Sequence, residues 1–266
     1  MLLPVLFFSH TWVFPAAISI VSVMCLFEMF RCVGLHKKLS VTVPAYIIGA
    51  VLPLLQRADF FVGKIVPLSA VFSIVYLVYL FALSIWSHGK FTYSDMCTSA
   101  LTSIYIVFAL NMILYIRDFN ESGMIIYLLV FIGAWITDIF AYFTGFFFGK
   151  HKLIEDVSPK KTIEGSIGGT LFCSLSFVLT GIIADLFFGG NANIIFLAVS
   201  GIFISVIAQI GDLIMSLIKR HYGIKDYGKI IPGHGGMLDR FDSILAVSLG
   251  VAAMCMVSLI IGVPFI

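Results

Sequence analysis

The sequence predicts an all-α, polytopic integral membrane protein with about eight or nine transmembrane helices. Of its 266 residues, 61% are hydrophobic and 26 are phenylalanine, which is more apolar surface than a soluble domain of this length can bury. Charged residues make up only 11% of the chain, and they separate apolar runs of roughly the length that crosses a bilayer. Each run must satisfy its own backbone hydrogen bonds in lipid, so the runs are predicted to be helices.

The apolar runs give the predicted helices in order. The first run, 1–8, is partial; no basic residue precedes it and no small-residue cleavage site follows it, so a signal peptide is not expected. The run 43–55 is short and contains Pro53, which favours a helix that is tilted, broken or extended through the region of Arg57. The complete set is 1–8, 11–30, 43–55, 65–86, 97–116, 123–148, 166–188, 193–218 and 243–265.

The basic residues divide unequally between alternate connections of these helices. Cytoplasmic connections collect lysine and arginine, so the side with thirteen of the sixteen is predicted to be cytoplasmic. Residues 1–122 are then expected to be supporting helices, and residues 123–266 a catalytic region with cytoplasmic loops at 149–165 and 216–242. No organelle-targeting segment is visible, so a bacterial inner membrane is the simplest setting. The other side has Arg57, Lys64 and Arg117.

Four acidic residues lie within or at the edges of apolar runs, where a carboxylate is costly and each is therefore a functional candidate. Asp185, near the non-cytoplasmic end of its run, is explained as an interfacial acid. Glu28 lies three residues before Arg31, so a local ion pair explains it as well as a function does. The remaining two are Asp138 and Asp212.

Asp138 has a stronger case because of the residues on its helical face. Ala141, Gly145 and Gly149 follow it at i+3, i+7 and i+11, which makes a small, polar stripe on a phenylalanine-rich helix. Such a stripe favours either close packing of a neighbouring helix or a water-filled cavity. We expect Asp138 to be functional and the cavity to face the cytoplasm.

The segment 216–242 concentrates charge in a chain that has little. Asp212, Ser216, Lys219 and Arg220 fall on one helical face just before and within it. Asp239 opens the last helix, where helix capping is the alternative explanation. Hard cations such as Mg²⁺ prefer carboxylate oxygens and keep substrate phosphates in their shell. Asp212 and Asp239, with basic residues around them, therefore predict a site for a metal ion and phosphate.

Two further stretches could contact phosphate. The glycine-rich run 232–236 supplies flexible backbone N–H groups, although a simple turn would also explain it. In the loop 149–165, Ser158-Pro159 predicts a helix start, and Lys160 and Lys161 are candidates for an anionic headgroup or a nucleotide phosphate. Positive-inside topology alone would also account for these lysines.

Several other site types find no support. GFFFGK (145–150) is one residue short of a P-loop and lacks the following Ser or Thr. GxGxxG, HExxH and GxSxG do not occur in the sequence. Nucleic-acid binding has no support beyond basic loops that a membrane protein has in any case.

The segment 216–242 resembles the signature of phosphatidate cytidylyltransferases, or CDP-diacylglycerol synthases. That signature is S-x-x-K-R, then K-D after four residues, and later P-x-H-G-G-x-x-D-R-x-D. The resemblance extends upstream to Asp138-Ile-Phe-Ala-Tyr, Gly149-Lys150, 158–165 and Gly211-Asp212. The matching signature positions are Ser216, Lys219, Arg220, Lys225, Asp226, Gly228, Pro232, His234, Gly235, Gly236, Asp239, Arg240 and Asp242.

The resemblance implies the reaction of CTP with phosphatidate to give CDP-diacylglycerol and pyrophosphate. It implies Mg²⁺ at Asp212 and Asp239, with a second, monovalent cation such as K⁺, in a homodimeric membrane enzyme that does not bind nucleic acid. The implied catalytic residues are Lys219, Arg220, Lys225, Asp226, His234, Arg240 and Asp242. The implied substrate-binding residues are Asp138, Ser158, Lys160, Lys161, Glu164, Ser216, Gly235 and Gly236.

Two alternatives stay open from the residues themselves. A CTP-dependent polyprenol or dolichol kinase would share this design but would need a base near the acceptor hydroxyl. An ion-coupled transporter would keep its acids near the midplane and often shows repeats, whereas these acids crowd one membrane edge. A CDP-alcohol phosphotransferase is disfavoured because no DGxxAR-type aspartate cluster is present.

Overall fold

The computed structural model describes residues 8–58, 65–120, 122–228 and 235–266. Within these ranges eight helices are long and apolar enough to cross a membrane, which confirms the predicted all-α membrane fold. Most of the partial run 1–8 lies outside the described residues. The helices are α1 (Val13–Cys32), α2 (Leu39–Gln56), α3 (Ile65–Trp86), α4 (Tyr93–Arg117), α5 (Gly123–Phe148), α6 (Ile163–Phe188), α7 (Ile194–His221) and α8 (Leu238–Ile261).

Helix α2 is longer than predicted and continues through Pro44 and Pro53. Pro44 has no N–H to donate to the carbonyl of Ser40, which would normally be its partner one turn back. The hydroxyl of Tyr79 donates to that carbonyl instead, at 2.7 Å. A side chain from α3 thus satisfies the backbone group that the proline leaves unpaired in the helix.

By its internal contacts the chain divides into two compact units, and the first consists of residues 1–115 and 222–240. Helices α1 and α2 approach closely in this unit at Gly49, which has no side chain. A methyl group there would lie only 2.7 Å from the Ser22 hydroxyl oxygen. Lys38 joins α2's start to α4 through a 2.7 Å ion pair with Asp95. The segment after α7 and the first residues of α8 belong to this unit.

The second unit consists of residues 116–221 and 241–266. In this unit, Gly133 of α5 lies against both α7 and α8. A methyl group on Gly133 would lie 2.7 Å from Ile204 of α7 and 3.3 Å from Val247 of α8. At Gly211, a methyl group would lie 2.4 Å from the side chain of Ala246. The lack of a side chain at Gly211 thus lets α7 and α8 pack closely beside Asp212.

Helices α5 and α6 also pack backbone to backbone. A methyl group on Gly165 would lie 2.5 Å from the carbonyl oxygen of Ala141, and one on Gly169 would lie 2.8 Å from that of Thr137. The small residues that follow Asp138 therefore serve close helix packing, one of the two explanations that the sequence allowed.

The loop between α5 and α6 contains a β-hairpin, with antiparallel strands β1 (Lys152–Ile154) and β2 (Ser158–Thr162). The helix start predicted at Ser158-Pro159 is therefore wrong. A proline is compatible with an edge strand, where its missing N–H need not join a ladder. Helix α6 begins at Ile163, and the Thr162 hydroxyl caps it by accepting the N–H of Gly165 at 3.1 Å.

Candidate active site

An ion pair joins the hairpin to α7 in the second unit. Lys161 Nζ lies 2.5 Å from Asp212 Oδ2, and the two side chains are 23% and 24% exposed. Strand β2 holds Lys161 in place, while the close packing at Gly211 positions Asp212. Two residues that the sequence placed in separate candidate stretches thus meet directly.

Two further carboxylates, Asp138 and Asp242, lie near this pair and make three with Asp212. The hydroxyl of Ser243 lies 3.1 Å from Asp138 Oδ2 and 3.3 Å from Asp242 Oδ1, so it bridges α5 and α8. Asp212 interacts electrostatically with both Asp138 and Asp242. Three acids in one place would repel each other unless cations are present.

Two lysines supply part of the compensating positive charge. Lys161 acts on Asp138 as well as on Asp212, and the buried Lys219 acts on Asp242. Three carboxylates against two ammonium groups leave an excess of negative charge, and oxygen atoms are the ligands that hard cations prefer. The carboxylate oxygens are of the type that a Mg²⁺ ion prefers, and a metal ion here stays a prediction. In the described part of the chain, however, no three metal-binding side chains are close enough to hold one alone.

A cavity of about 150 Å³ opens beside the ion pair. Asp138 lines this cavity and lies ten residues, or about 15 Å, from the end of α5. The Asp138 stripe thus packs on α6 and also borders a cavity, and water in this cavity stays a prediction. The lining residues are Asp138, Ala141, Tyr142, Leu153, Lys160, Lys161, Thr162, Gly165, Ser166 and Gln209.

A hydrogen-bonded network of polar side chains extends from this cavity into the bundle. The amide nitrogen of Gln209 lies 3.3 Å from the hydroxyls of both Thr170 and Ser205. Thr137 in turn donates to Ser205 at 3.1 Å. Sequence reasoning missed this network, although polar residues spaced four apart in the apolar helices α6 and α7 are a signal that could have indicated it.

Glu164, predicted to bind substrate, contacts the start of the hairpin. Its Oε2 accepts the backbone N–H of Lys150 at 3.1 Å and of His151 at 3.3 Å. Its Oε1 lies 2.7 Å from the Nδ1 atom of His151. The carboxylate thus ties the first turn of α6 to the residues that enter β1.

In the first unit, Asp239 accepts two backbone hydrogen bonds. Its Oδ2 is 2.8 Å from the nitrogen of Tyr227 and 3.0 Å from that of Gly236. One carboxylate oxygen therefore joins two positions of the segment 216–242 that are nine residues apart in the sequence. Asp239 and Asp212 belong to different units, and their joint metal site stays a prediction.

Glu28 of α1 binds the same segment. Its side chain is buried, and its carboxylate accepts the N–H groups of Met237 at 3.0 Å and Leu238 at 2.7 Å. Arg31 contributes only a weaker electrostatic interaction. The local ion pair that the sequence allowed is thus not the main contact of Glu28.

The other predicted residues occupy several environments. Ser158 and Ser216 are half-buried, and Gly235 has a left-handed φ of +83° that favours glycine. His234 lies outside the described residues. The exposed positions are Lys160, Arg220, Lys225, Asp226 and Arg240.

Asp185 has a structural role at the other end of the bundle. Its Oδ1 accepts the N–H of Ala192 at 2.8 Å and closes the turn between α6 and α7. This contact accounts for the acid without a catalytic function.

Comparison with known proteins gives a consistent set of relatives. Residues 1–258 match the model described as the cytidylyltransferase family. A phosphatidate cytidylyltransferase of Staphylococcus haemolyticus is 40% identical over 168 residues, 63% of this chain and 62% of the relative. One of Bacillus subtilis is 38% identical over 159 residues, 60% of this chain and 58% of the relative. One of Staphylococcus aureus is 34% identical over 230 residues, 85% of this chain and 84% of the relative. The chain thus spans about three fifths of the length of the first two relatives and over four fifths of the third.

Proposed function

The chain belongs to the cytidylyltransferase family, and we propose that it transfers the cytidylyl group of CTP to phosphatidate, giving CDP-diacylglycerol and pyrophosphate. The observation that carries this proposal is the Lys161–Asp212 ion pair, which lies beside Asp138 and Asp242 at a polar cavity within a membrane bundle. This cluster combines a basic group that could bind phosphate with carboxylate oxygens that could bind a cation. The names of the relatives support the choice of substrates.

The reaction needs little proton transfer. A phosphate oxygen of phosphatidate forms a bond to the α-phosphorus of CTP, while the bond from that phosphorus to the oxygen bridging to the β-phosphate breaks. Pyrophosphate leaves with the electron pair. A phosphate monoester already carries negative charge near neutral pH, so no strong general base is needed.

The main difficulty is bringing two anions together, and the basic residues meet it. Lys160 and Lys161 line the cavity and are proposed to bind substrate phosphates. Lys219, next to Asp242, and the exposed Arg220 are proposed to stabilise the charge that develops on the leaving pyrophosphate. Cations that are fixed in place before the reaction stabilise the developing charge without the reorganisation that solvent would need.

A Mg²⁺ ion is proposed to act with these residues. When bound, it would neutralise phosphate charge and polarise the phosphoryl group. We keep Asp212 and Asp239 as its proposed ligands and add Asp138 and Asp242, because both interact with Asp212 in the second unit. A monovalent cation such as K⁺ at this centre, and a homodimer, are further proposals from the family resemblance.

We also propose that the cavity faces the cytoplasm of a bacterial cell. CTP is a soluble nucleotide, and the lysine and arginine distribution favours a cytoplasmic position for residues 149–165 and 216–242. Phosphatidate would reach the same cavity from the surrounding bilayer.

The position of a label on CTP tests the reaction. Protein purified in detergent is incubated with phosphatidate, Mg²⁺ and CTP labelled on either the α- or the γ-phosphate. We expect α-label in the lipid product and γ-label only in pyrophosphate. Label from the γ-position on an added lipid alcohol would indicate a kinase instead. The proposal is wrong if no divalent ion supports lipid labelling.

A further inference from the structure

Glu28 is a buried acid that neither the signature nor the proposed chemistry uses. Glu28 is only 1% exposed and lies in the last third of the apolar helix α1, four residues before its end. A carboxylate in that position is costly unless its charge is compensated. Its two hydrogen-bond donors, the backbone nitrogens of Met237 and Leu238, lie 209 and 210 residues later in the chain.

The glycines of the signature segment fit around this carboxylate. A methyl group on Gly228 would lie 2.2 Å from Glu28 Oε1, and one on Gly236 would lie 2.6 Å from Glu28 Oε2. Any larger residue at either position would therefore force the Glu28 carboxylate to move. The carboxylate thus lies against both Gly228 and Gly236.

Asp239 also binds backbone N–H groups of this segment, but not the same ones as Glu28. Its Oδ2 accepts the N–H groups of Tyr227 and Gly236, and its charge repels that of Glu28. Four backbone N–H groups, some at the start of α8 where the helix dipole favours negative charge, offset this repulsion. The arrangement keeps the two acids close together and holds the backbone at Tyr227 and at 236–238.

We propose that Glu28 is a positioning residue for the reaction. By binding the N–H groups of Met237 and Leu238 it sets the first turn of α8, and with it the side chains of Asp239 and Arg240. Since the carboxylate is buried, it acts through this segment and does not touch substrate. The inference rests on the proposed function for its catalytic consequence, but the contact itself can be tested separately.

Hydrogen exchange of the purified protein tests the contact. In Glu28→Ala the amides of Met237 and Leu238 lose their acceptors, and we expect them to exchange at least about tenfold faster than in the unaltered protein. Glu28→Gln keeps one acceptor oxygen and the size of the side chain, so a smaller acceleration is expected. Ser22→Ala, which removes a buried hydroxyl from the same helix, is the matched control and should leave these amides unchanged. Unchanged exchange in Glu28→Ala overturns the inference.

Turnover then separates positioning from folding. Glu28→Gln is expected to lower kcat at least about tenfold while KM for CTP and for phosphatidate changes by less than about threefold, since displaced groups act mainly in the transition state. The thermal midpoint of Glu28→Gln should stay close to that of Ser22→Ala. Unaltered kcat despite faster exchange would contradict the positioning role. If the unaltered protein itself does not label lipid, the proposed function fails, while the exchange result still decides the contact.

Discussion

Asp239 combines two tasks at the scale of a single residue. Its Oδ2 accepts two backbone N–H groups, while its negative charge is the property that a metal ion would need. These tasks can be separated, because the oxygen of an asparagine amide can still accept hydrogen bonds although it carries no charge.

We therefore expect Asp239→Asn and Asp239→Ala to differ in structure but not in activity. Both should lose lipid labelling by at least about a hundredfold, as is typical when a group that stabilises developing charge is removed. Only Asp239→Ala should expose the amide of Gly236 to faster hydrogen exchange. The matched control is Asp185→Asn, which removes a turn-closing carboxylate elsewhere. Near-normal turnover of Asp239→Asn would show that its charge is not needed.

At the scale of single residues, the sequence identifies candidate acids better than it identifies the residues that they contact. Asp138 and Asp212 were singled out because a carboxylate in an apolar run is costly, and the structure brings both into one charged cluster. Glu28 carried the same signal, but a nearby arginine offered a local explanation. Its real partners are more than two hundred residues away, and no local periodicity encodes such a contact.

The hairpin between α5 and α6 is the element that brings Lys161 to Asp212. Glu164 fastens its beginning by binding the N–H groups of Lys150 and His151. The element was predicted as a helix start because Ser-Pro is common there. The residue that caps the helix is Thr162, which lies four residues after Ser158, has an extended backbone and accepts the N–H of Gly165 with its hydroxyl.

Removing this fastening should loosen the hairpin. We expect Glu164→Ala to be cleaved by trypsin after Lys150 and Lys152 several times faster than the unaltered protein in detergent, because the backbone there loses two hydrogen bonds. Glu155→Ala, a change of an exposed acid in the same loop, should be cleaved at the unaltered rate. Equal cleavage of both variants would mean that Glu164 does not hold the strand.

At the scale of the whole molecule, the order of the apolar helices within the described residues follows from hydropathy. The eight predicted runs after 1–8 correspond to α1–α8, and the largest shift in bounds is at α8, which spans Leu238–Ile261 where 243–265 was predicted. At α2, a tyrosine hydroxyl compensates for the N–H group that Pro44 lacks. In lipid an apolar run must satisfy its own backbone hydrogen bonds, which favours a helix, so the positions of the helices in the sequence are strongly determined. The packing of the helices depends on single glycines such as Gly211 and Gly165, whose partners hydropathy cannot identify.

Orientation in the membrane can be tested on the intact molecule. In a variant with all five cysteines replaced by alanine, a new cysteine at Asp156 or Asn191 reports on opposite ends of α6. We expect a membrane-impermeant maleimide to label Asn191→Cys in intact cells and Asp156→Cys only after the cells are permeabilised. The reverse pattern would place the hairpin outside and contradict the cytoplasmic site.

The contact between Glu28 and α8 also means that the acid is synthesised well before the N–H groups that bind it. The 210 residues from Glu28 to Leu238 take roughly 10 to 40 s to synthesise at cellular rates. Throughout that interval the growing chain contains an acid in its first long helix without the N–H groups that bind it in the finished protein. A chain interrupted before Met237 can hold α1–α7 and still lack this bond, so the arrangement around Asp239 is completed only after these helices have been synthesised.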